Sequence, residues 1–442
     1  MVQPIEDPSP VSPFYRSYAP PAPPTEPLAG EGKTEVAVIG AGFTGISTAL
    51  HLAEAGVAVT VIEAKEIGAG ASSRNFGQIV PYLKHDQDAV LAHFGPEPGE
   101  RLIAATGEGP GFVFRLIERH GIACSAVRKG LIFAAHAPAG EAALRRRTEF
   151  WQKRDQPVEM YGVRETAALI GSDFYAAASL DRRGGTINPL AYVRGLTAAA
   201  IAAGAVVHSE SRVWLIERAG KAWRVMTDGG TLLADSVVIA TNAYTGKLWP
   251  GLDDSIIPMR SYQFASKPLG PNVRKTILPQ GQPMIDTRRL FSGVRLHPDG
   301  RLQASCDGPA FTIEGRPNIV KLARRMARLF PQLGPIEWEH RWSGWVAMTY
   351  DQYPHLHELA PGLWAGLGYS GRGIALATMM GRDIARRITG TGTADLVFPV
   401  TPLEPRRLTR LARPLVGSLM AWYRMRDALD DRRNVRRRAK SK

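Results

Sequence analysis

The sequence predicts an α/β chain of two domains, one on a parallel sheet and one an α+β unit on a largely antiparallel sheet. Three observations carry this. Residues 35–62 read as strand, helix and strand with connections too short for anything but a parallel pair. Residues 257–312 alternate apolar and polar and carry Pro and Gly breaks, as antiparallel strands do. The 442 residues exceed the usual size of one core.

Residues 35–39 are a short apolar run, read as a buried strand. Residues 44–55 have helical spacing, with Ile46, Leu50 and Ala53 on one side, and Gly56 ends the helix. Residues 57–62 form the second strand. Between strand and helix stands Gly40-Ala41-Gly42-Phe43-Thr44-Gly45, a GxGxxG motif in the context that gives it meaning. Gly40 permits the tight turn, Gly42 lets backbone approach a pyrophosphate, and Gly45 lets the helix lie close to the sheet. The helix N-terminus offers free amides to phosphate. Glu63, 18 residues beyond Gly45, ends the second strand, where a carboxylate accepts ribose hydroxyls. The expected cofactor contacts here are Gly40, Gly42, Phe43, Thr44, Gly45, Glu63, Ala64 and Lys65. The fold class is therefore a Rossmann-type FAD/NAD(P)-binding fold with a second domain.

Further along, 188–203 read as a helix, 206–208 and 212–217 as strands, and 223–227 with 231–234 as a hairpin about Asp228-Gly229-Gly230. Residues 236–240 are an apolar strand. Residues 86–175 are mixed, with a helix near 111–120 and a strand at 130–135. Residues 321–330 read as a helix, 363–368 as a strand, and 374–388 as a helix behind a glycine-rich turn. The nine prolines in residues 1–33 predict a structureless or loosely docked arm, with order starting at Glu35.

A polar, glycine-rich loop, Gly68 to Gln78, follows Glu63 directly, where a nicotinamide unit proceeds to another helix. Here the chain resembles the D-amino-acid oxidase superfamily of flavoproteins, most of all the bacterial γ-glutamylputrescine oxidase-like enzymes. Thr186-Ile187-Asn188-Pro189, the strand into Thr241-Asn242-Ala243-Tyr244, Trp342-Ser343-Gly344, Met348 to Asp351, and Gly366 to Ile374 carry the same likeness. It spans roughly 34–400.

The resemblance implies oxidation of a C–N bond in an amine or amino acid to an imine, with oxygen or a quinone as acceptor. It implies FAD, held by Ser72, Ser73, Arg74, Asn75, Gly77 and Gln78, by the Val213 backbone at adenine, by Thr241 and Asn242, and by the amides of Gly371, Arg372, Gly373 and Ile374. No Cys or His matches a covalent attachment point, so FAD is expected to be non-covalent; His85 is the one histidine near the loop. Tyr82, Tyr262, Trp342, Trp345 and Tyr369 are expected walls of an amine cage, each equally readable as core packing. Arg289 and Arg295 are expected carboxylate anchors, each also readable as structural. Where relatives place Tyr-x-Arg, this chain reads Phe291-Ser292-Gly293-Val294-Arg295, which predicts a pocket for a bulkier or less polar amine. The FAD domain is expected to gather 34–85, 176–245 and 340–400, and the substrate domain 86–175 and 246–339.

A flavin dehydrogenase or monooxygenase on another substrate, and a non-catalytic electron-transfer subunit, stay open at this stage. Of the net charge of +14, +9 falls beyond residue 403. That leaves an ordinary body, and no nucleic-acid module is recognisable. The basic 401–442 segment carries Leu408, Leu411, Leu415 and Leu419 at helical spacing, then Trp422 and Tyr423. It reads either as a helix docked on the body or as an amphipathic helix weakly associated with an anionic membrane surface. Two cysteines, Cys124 and Cys306, support neither a disulfide framework nor a zinc site, and no metal is expected. No apolar run spans a membrane and no signal segment is visible, so the chain is expected to be cytoplasmic.

Overall fold

The computed structural model describes residues 11–289, 292–308, 316–405, 418 and 421–431. Two compact units result: Met1–Ala126, Ile187–Pro258 and Gly344–Arg410 form the first, and Val127–Thr186, Met259–Ser343 and Leu411–Lys442 the second. Residues 86–126 and 246–258, expected in the substrate domain, therefore fall in the first unit. Residues 176–186 and 340–343, expected in the FAD domain, fall in the second.

The first unit is built on a sheet in the order His355–Ala360, Leu363–Leu367, Gly230–Ile239, Gly30–Ile39, Val59–Ile62 and Val206–His208. Its four inner pairings are parallel. The hairpin of Val213–Ala219 and Ala222–Thr227 extends Gly230–Ile239 as an antiparallel ribbon. The central strands are almost wholly apolar because both faces are covered: Val36 to Ile39 and Val59 to Ile62, with Thr60 the one polar side chain, are buried throughout. The helices Phe43–Glu54 and Gly373–Ile388 pack against each other. A Cβ on Gly381 would lie 2.5 Å from the Thr44 carbonyl oxygen, so that contact needs a glycine.

Three expectations are corrected in this unit. The first strand begins at Gly30, paired with Gly230, not at Glu35. Residues 11–33 are not loose. Pro13–Arg16 forms a helical turn capped by Ser12, and Val11, Phe14, Tyr15 and Leu28 are buried. Asn188 Nδ2 donates to Tyr15 O at 3.0 Å, Arg194 to Pro20 O at 2.7 Å, and Leu28 N to Ser211 Oγ at 2.7 Å. Proline removes donors from the arm, and the body supplies them instead. The short helix expected near 111–120 is in fact Pro96–Arg119, running through Pro110.

The second unit holds an eight-stranded sheet in the order Trp338–Thr349, Ile256–Pro268, Arg301–Gly308, Gly293–Leu296, Met284–Asp286, Leu131–Ala135, Ala177–Asp181 and Val158–Tyr161. From Ile256–Pro268 to Val158–Tyr161 it is antiparallel except between Met284–Asp286 and Leu131–Ala135. Its core gathers Ile132, Leu180, Phe264, Val294 and Leu302 from the strands and Leu322, Met326 and Phe330 from 316–330. No helix among the described residues is long and apolar enough to cross a membrane.

Candidate functional site

The glycines of 40–45 have different jobs. Gly40 has φ +103°, which a side chain rarely adopts, and its Cβ position lies 3.2 Å from the Ala240 carbonyl oxygen. Gly45 could not carry a Cβ at all, since it would stand 1.9 Å from Gly40 O. Gly42 is the N-cap of Phe43–Glu54 and offers no capping side chain. A Cβ there would meet Ser72 Oγ at 2.9 Å, and Ser72 Oγ accepts from Phe43 N at 3.0 Å. A single hydroxyl thus occupies the cradle that the motif's shape provides for a phosphate oxygen.

Glu63 closes the other side. Its carboxylate accepts from Ala41 N at 2.8 Å and Lys65 N at 3.1 Å. Burial pushes its carboxyl above the ordinary range against the pull of those amides and of Ala64. The group nevertheless keeps partial contact with solvent, as a side chain lining a recess does.

The loop after it is held by its own side chains. Asn75 accepts from Gly77 N at 2.9 Å and donates to Ser72 O at 3.0 Å. Ser73 Oγ bonds Gly70 O, and the buried Arg74 donates to Ala69 O at 2.8 Å. Gly77, at φ +78°, accepts from Ile187 N. Gln78 and Ile79 then form a short strand lying against the helix Gly373–Ile388. Opposite Gly40, Thr241 Oγ1 is buried and finds no partner among the described residues. Asn242, at φ +47°, accepts from Gly368 N at 3.0 Å. Val213 opens the ribbon strand beside this region. Gly371, at φ +84°, and Arg372 lead into Gly373 and Ile374, the first residues of the C-terminal helix, whose free amides favour negative charge. The sequence-predicted cofactor residues of 40–78, 241–242 and 371–374 thus all lie in the first unit. Their chemistry, a glycine turn without capping side chain, a partly exposed carboxylate and a buried hydroxyl without a partner among the described residues, fits a dinucleotide.

The expected substrate residues fare less evenly. Tyr369 is buried, and its hydroxyl bonds Thr44 Oγ1 at 2.6 Å, tying the C-terminal turn to the dinucleotide turn. Burial pushes the phenol well above its ordinary range. The hydroxyl of this expected cage wall is thus engaged within the first unit. Arg289 is also corrected: its guanidinium bonds Asp427 at 2.7 Å and Asp430 at 2.8 Å. Its neighbour Arg288 is neutralised by Asp286 and by Asp431. Tyr82 is buried in the first unit, and Tyr262, Arg295 and Trp342 in the second. Tyr262 lies under the Arg260 guanidinium, which donates to Ser343 beside Trp342. Trp345 N donates to Tyr244 Oη. Phe291 and the leucines at 408, 411, 415 and 419 lie outside the described residues.

His136, Asp427 and Asp430 bring ligand atoms within 4.8 Å of one another. Arg289 bonds both carboxylates, so a cation already holds that place.

Sequence reasoning missed Lys84. It follows the Gln78–Ile79 strand and is exposed. Burial pulls its ammonium down to about 8, and the Arg372 guanidinium adds to the shift. Its place one turn past the flavin-like loop was the available signal.

Comparison with known proteins is consistent with this geometry. Residues 35–387 match the family described as FAD dependent oxidoreductase. The chain is 32% identical to a probable oxidoreductase OrdL of Rhizobium meliloti, over 95% of this chain and 99% of the relative. It is 30% identical to the gamma-glutamylputrescine oxidoreductase of Escherichia coli, over 95% and 98%. The glycine oxidase structure from Geobacillus kaustophilus superposes with a TM-score of 0.70 at 24% identity, over 85% of this chain and 99% of that one.

Proposed function

Because this chain belongs to the FAD dependent oxidoreductase family, we propose that it oxidises the C–N bond of a small amine or amino acid to an imine, which water then hydrolyses. Oxygen or a quinone is the final acceptor. FAD supplies the two-electron acceptor chemistry, and it is held without a covalent bond.

The observation that carries this reading is the tie between Tyr369 and Thr44, which brings the 371–374 turn to the GxGxxG turn. On this reading the two turns hold the two ends of a flavin dinucleotide. Gly42, Phe43, Thr44 and Ser72 take the pyrophosphate, and Glu63, flanked by Ala64 and Lys65, takes the ribose. Val213 and Thr241–Asn242 border the adenine side. Ser73, Arg74, Asn75, Gly77 and Gln78, with the amides of Gly371 to Ile374, hold the ring end. Tyr82 is the proposed substrate contact of the first unit. The substrate class follows the amine named for the Escherichia coli relative.

The test mixes the purified yellow protein, without oxygen, with amines, amino acids, 2-hydroxy acids and NADH. Bleaching of the flavin band by an amine is expected. Bleaching by NADH or hydroxy acids, with every amine inert, would overturn the amine assignment and leave the cofactor assignment standing.

A second reading concerns association with an anionic membrane surface. The helix over 421–431 buries Asp427 and Asp431 and exposes Trp422 (46%), Met425 (54%) and Leu429 (43%). An exposed apolar stripe in a strongly basic segment suits a headgroup surface. Sedimentation with anionic vesicles is expected to carry the full chain down and to spare a chain ending at residue 405. Equal sedimentation of both overturns it.

A further inference from the structure

We infer that the proline-rich arm over residues 12–28 is a strap that sets the position of Glu63 toward the adenosine ribose of FAD, with Thr25 and Ser211 as positioning residues. This rests on the reading of Glu63 as the ribose acceptor and deepens it.

Glu63 follows the strand Val59–Ile62, and the segment 208–211 pins its backbone on both sides. Glu63 N donates to His208 O at 2.8 Å, and Ser211 N donates to Glu63 O at 2.8 Å. Beside them, Glu210 N donates to Lys65 O at 3.3 Å. That segment has little support of its own. Val206–His208 has three residues and is the last strand in the sheet order, and a short edge opens readily. The chain then turns through Glu210 at φ +48°, a conformation that a side chain disfavours.

The arm supplies the missing support, residue by residue. His208 Nδ1 donates to Glu26 O at 2.9 Å. Thr25 Oγ1 donates to Ser209 Oγ at 2.7 Å, and Leu28 N donates to Ser211 Oγ at 2.7 Å. Ser211 Oγ donates onward to Ser209 O at 2.8 Å. His208 and Ser211 thus each hold the arm on one side and Glu63 on the other. Leu28, Ser209 and Ser211 are buried, so a bond lost here leaves a polar group away from water.

Upstream, the buried Phe14 and Tyr15 and the Arg194 bond to Pro20 O fix where the arm begins. Arg16 pairs with Glu66, whose carbonyl accepts from Ala69 N at the entrance to the glycine-rich loop. Both members of that pair are well exposed, so it contributes little, and the bonds at 25–28 carry the strap. Pro20, Pro21, Pro23, Pro24 and Pro27 suit the task. Each has its φ fixed beforehand, so the arm loses less conformational freedom on docking than ordinary chain would. A hydrogen bond to a ribose hydroxyl weakens steeply as its acceptor drifts. A loosened Glu63 therefore costs cofactor affinity before it costs the fold.

The experiment uses the full-length apoprotein, titrated by calorimetry with FAD, ADP and 2′-deoxy-ADP. Thr25→Val combined with Ser211→Ala is expected to weaken FAD and ADP about 3- to 10-fold, the effect of losing bonds of this kind. The same pair should narrow the preference for ADP over 2′-deoxy-ADP. In a Glu63→Ala background it should add less than about twofold, because the strap then has no carboxylate to place. Thr25→Ser keeps the hydroxyl and should bind as wild type does. Thr25→Val alone, at a half-buried position, is read if the pair does not fold; it should show a smaller loss with the same dependence on Glu63. Unchanged affinities, or an equal loss with and without Glu63, overturn the strap. Glu63→Ala with wild-type affinity for FAD and ADP overturns the ribose reading and the strap with it. Glu63→Ala with a clear loss, beside arm variants that change nothing, overturns the strap alone.

Discussion

Two regions of this protein collect groups that suit an anion, and the chain treats them in opposite ways. In the first unit, the Phe43 amide meets only the Ser72 hydroxyl, and the buried Thr241 hydroxyl finds no partner among the described residues. In the second, the guanidiniums of Arg288, Arg289, Arg325 and Arg328 converge on Asp286, Asp427, Asp430 and Asp431. The lesson is that a cation anchors a ligand only where the chain has not already brought it a carboxylate. For Arg289 the answering acids lie 138 and 141 residues further along the sequence, so nothing local to 285–295 announces them.

The sharpest way to break the comparison is to close the first region. Gly45→Val places a side chain where even a Cβ would overlap Gly40 O at 1.9 Å. Both sides of that contact are backbone and cannot swing away. A loss above ~4 kcal/mol, shared between folding and FAD affinity, is expected. Absorbance of the purified protein and FAD titration check it; a yellow variant of normal affinity would mean that the turn does not hold the phosphates.

The second region responds in stability, not in cofactor binding. Asp286 is buried and takes bonds from Tyr175 at 3.1 Å and Arg325 at 2.5 Å as well as from Arg288. Burial alone would raise its carboxyl, and Arg288, Arg325 and His136 outweigh it and hold it below the usual range. Asp286→Ala leaves buried guanidiniums without their partner and should cost about 3–5 kcal/mol. A depressed carboxyl contributes stability above the ordinary carboxylate range and loses it as pH falls through and below that range. The wild type should therefore lose stability in acid more steeply than the variant. Denaturant titrations at neutral and acid pH, with FAD affinity as control, test both statements. An unchanged midpoint would show that the cluster is ornamental.

Glu63→Ala sits between these extremes. Removing the ribose acceptor should weaken FAD by ~1.5–3 kcal/mol. The carboxylate also holds Ala41 N and Lys65 N, so part of the loss should appear as a lower melting temperature of the apoprotein. Measuring both separates the two roles. Unchanged affinity for FAD would remove Glu63 from the site.

What the sequence disclosed and what it hid follow the range of the forces involved. The GxGxxG turn, its strands and Glu63 were legible because each depends on neighbours within about one helical turn or one strand. The helix Pro96–Arg119 was hidden because Gly99, Gly107, Gly109, Gly111 and Pro110 read as breakers. In the structure a Cβ on Gly109 would stand 3.1 Å from Ala375 and Met379, so that glycine serves helix contact, not a turn. The arm was misread for a related reason. Its prolines forbid internal bonds, and its order comes from Asn188, Arg194 and Ser211, all far along the chain. Tyr369 had the right position for a pocket residue, and only the fold shows its hydroxyl spent on Thr44.

The smallest effect is the most discriminating. Arg289 had the sequence credentials of a carboxylate anchor, and the structure pairs it with Asp427 and Asp430 on the helix over 421–431. The guanidinium is partly exposed, so solvent screens the pair, and Arg289→Met should cost about 1 kcal/mol or less in stability. If the chain's own acids have indeed taken this cation, the half-saturating concentration for a carboxylate-bearing amine should not move. Breaking the 421–431 contact adds a control: with Asp427→Asn and Asp430→Asn together, Arg289 loses its partners, and a carboxylate probe that binds weakly to wild type should gain a new, salt-sensitive site. A tenfold rise in the half-saturating concentration for Arg289→Met alone would reverse the assignment. It would mean that the substrate competes with the helix for this arginine, and that the two regions differ in degree and not in kind.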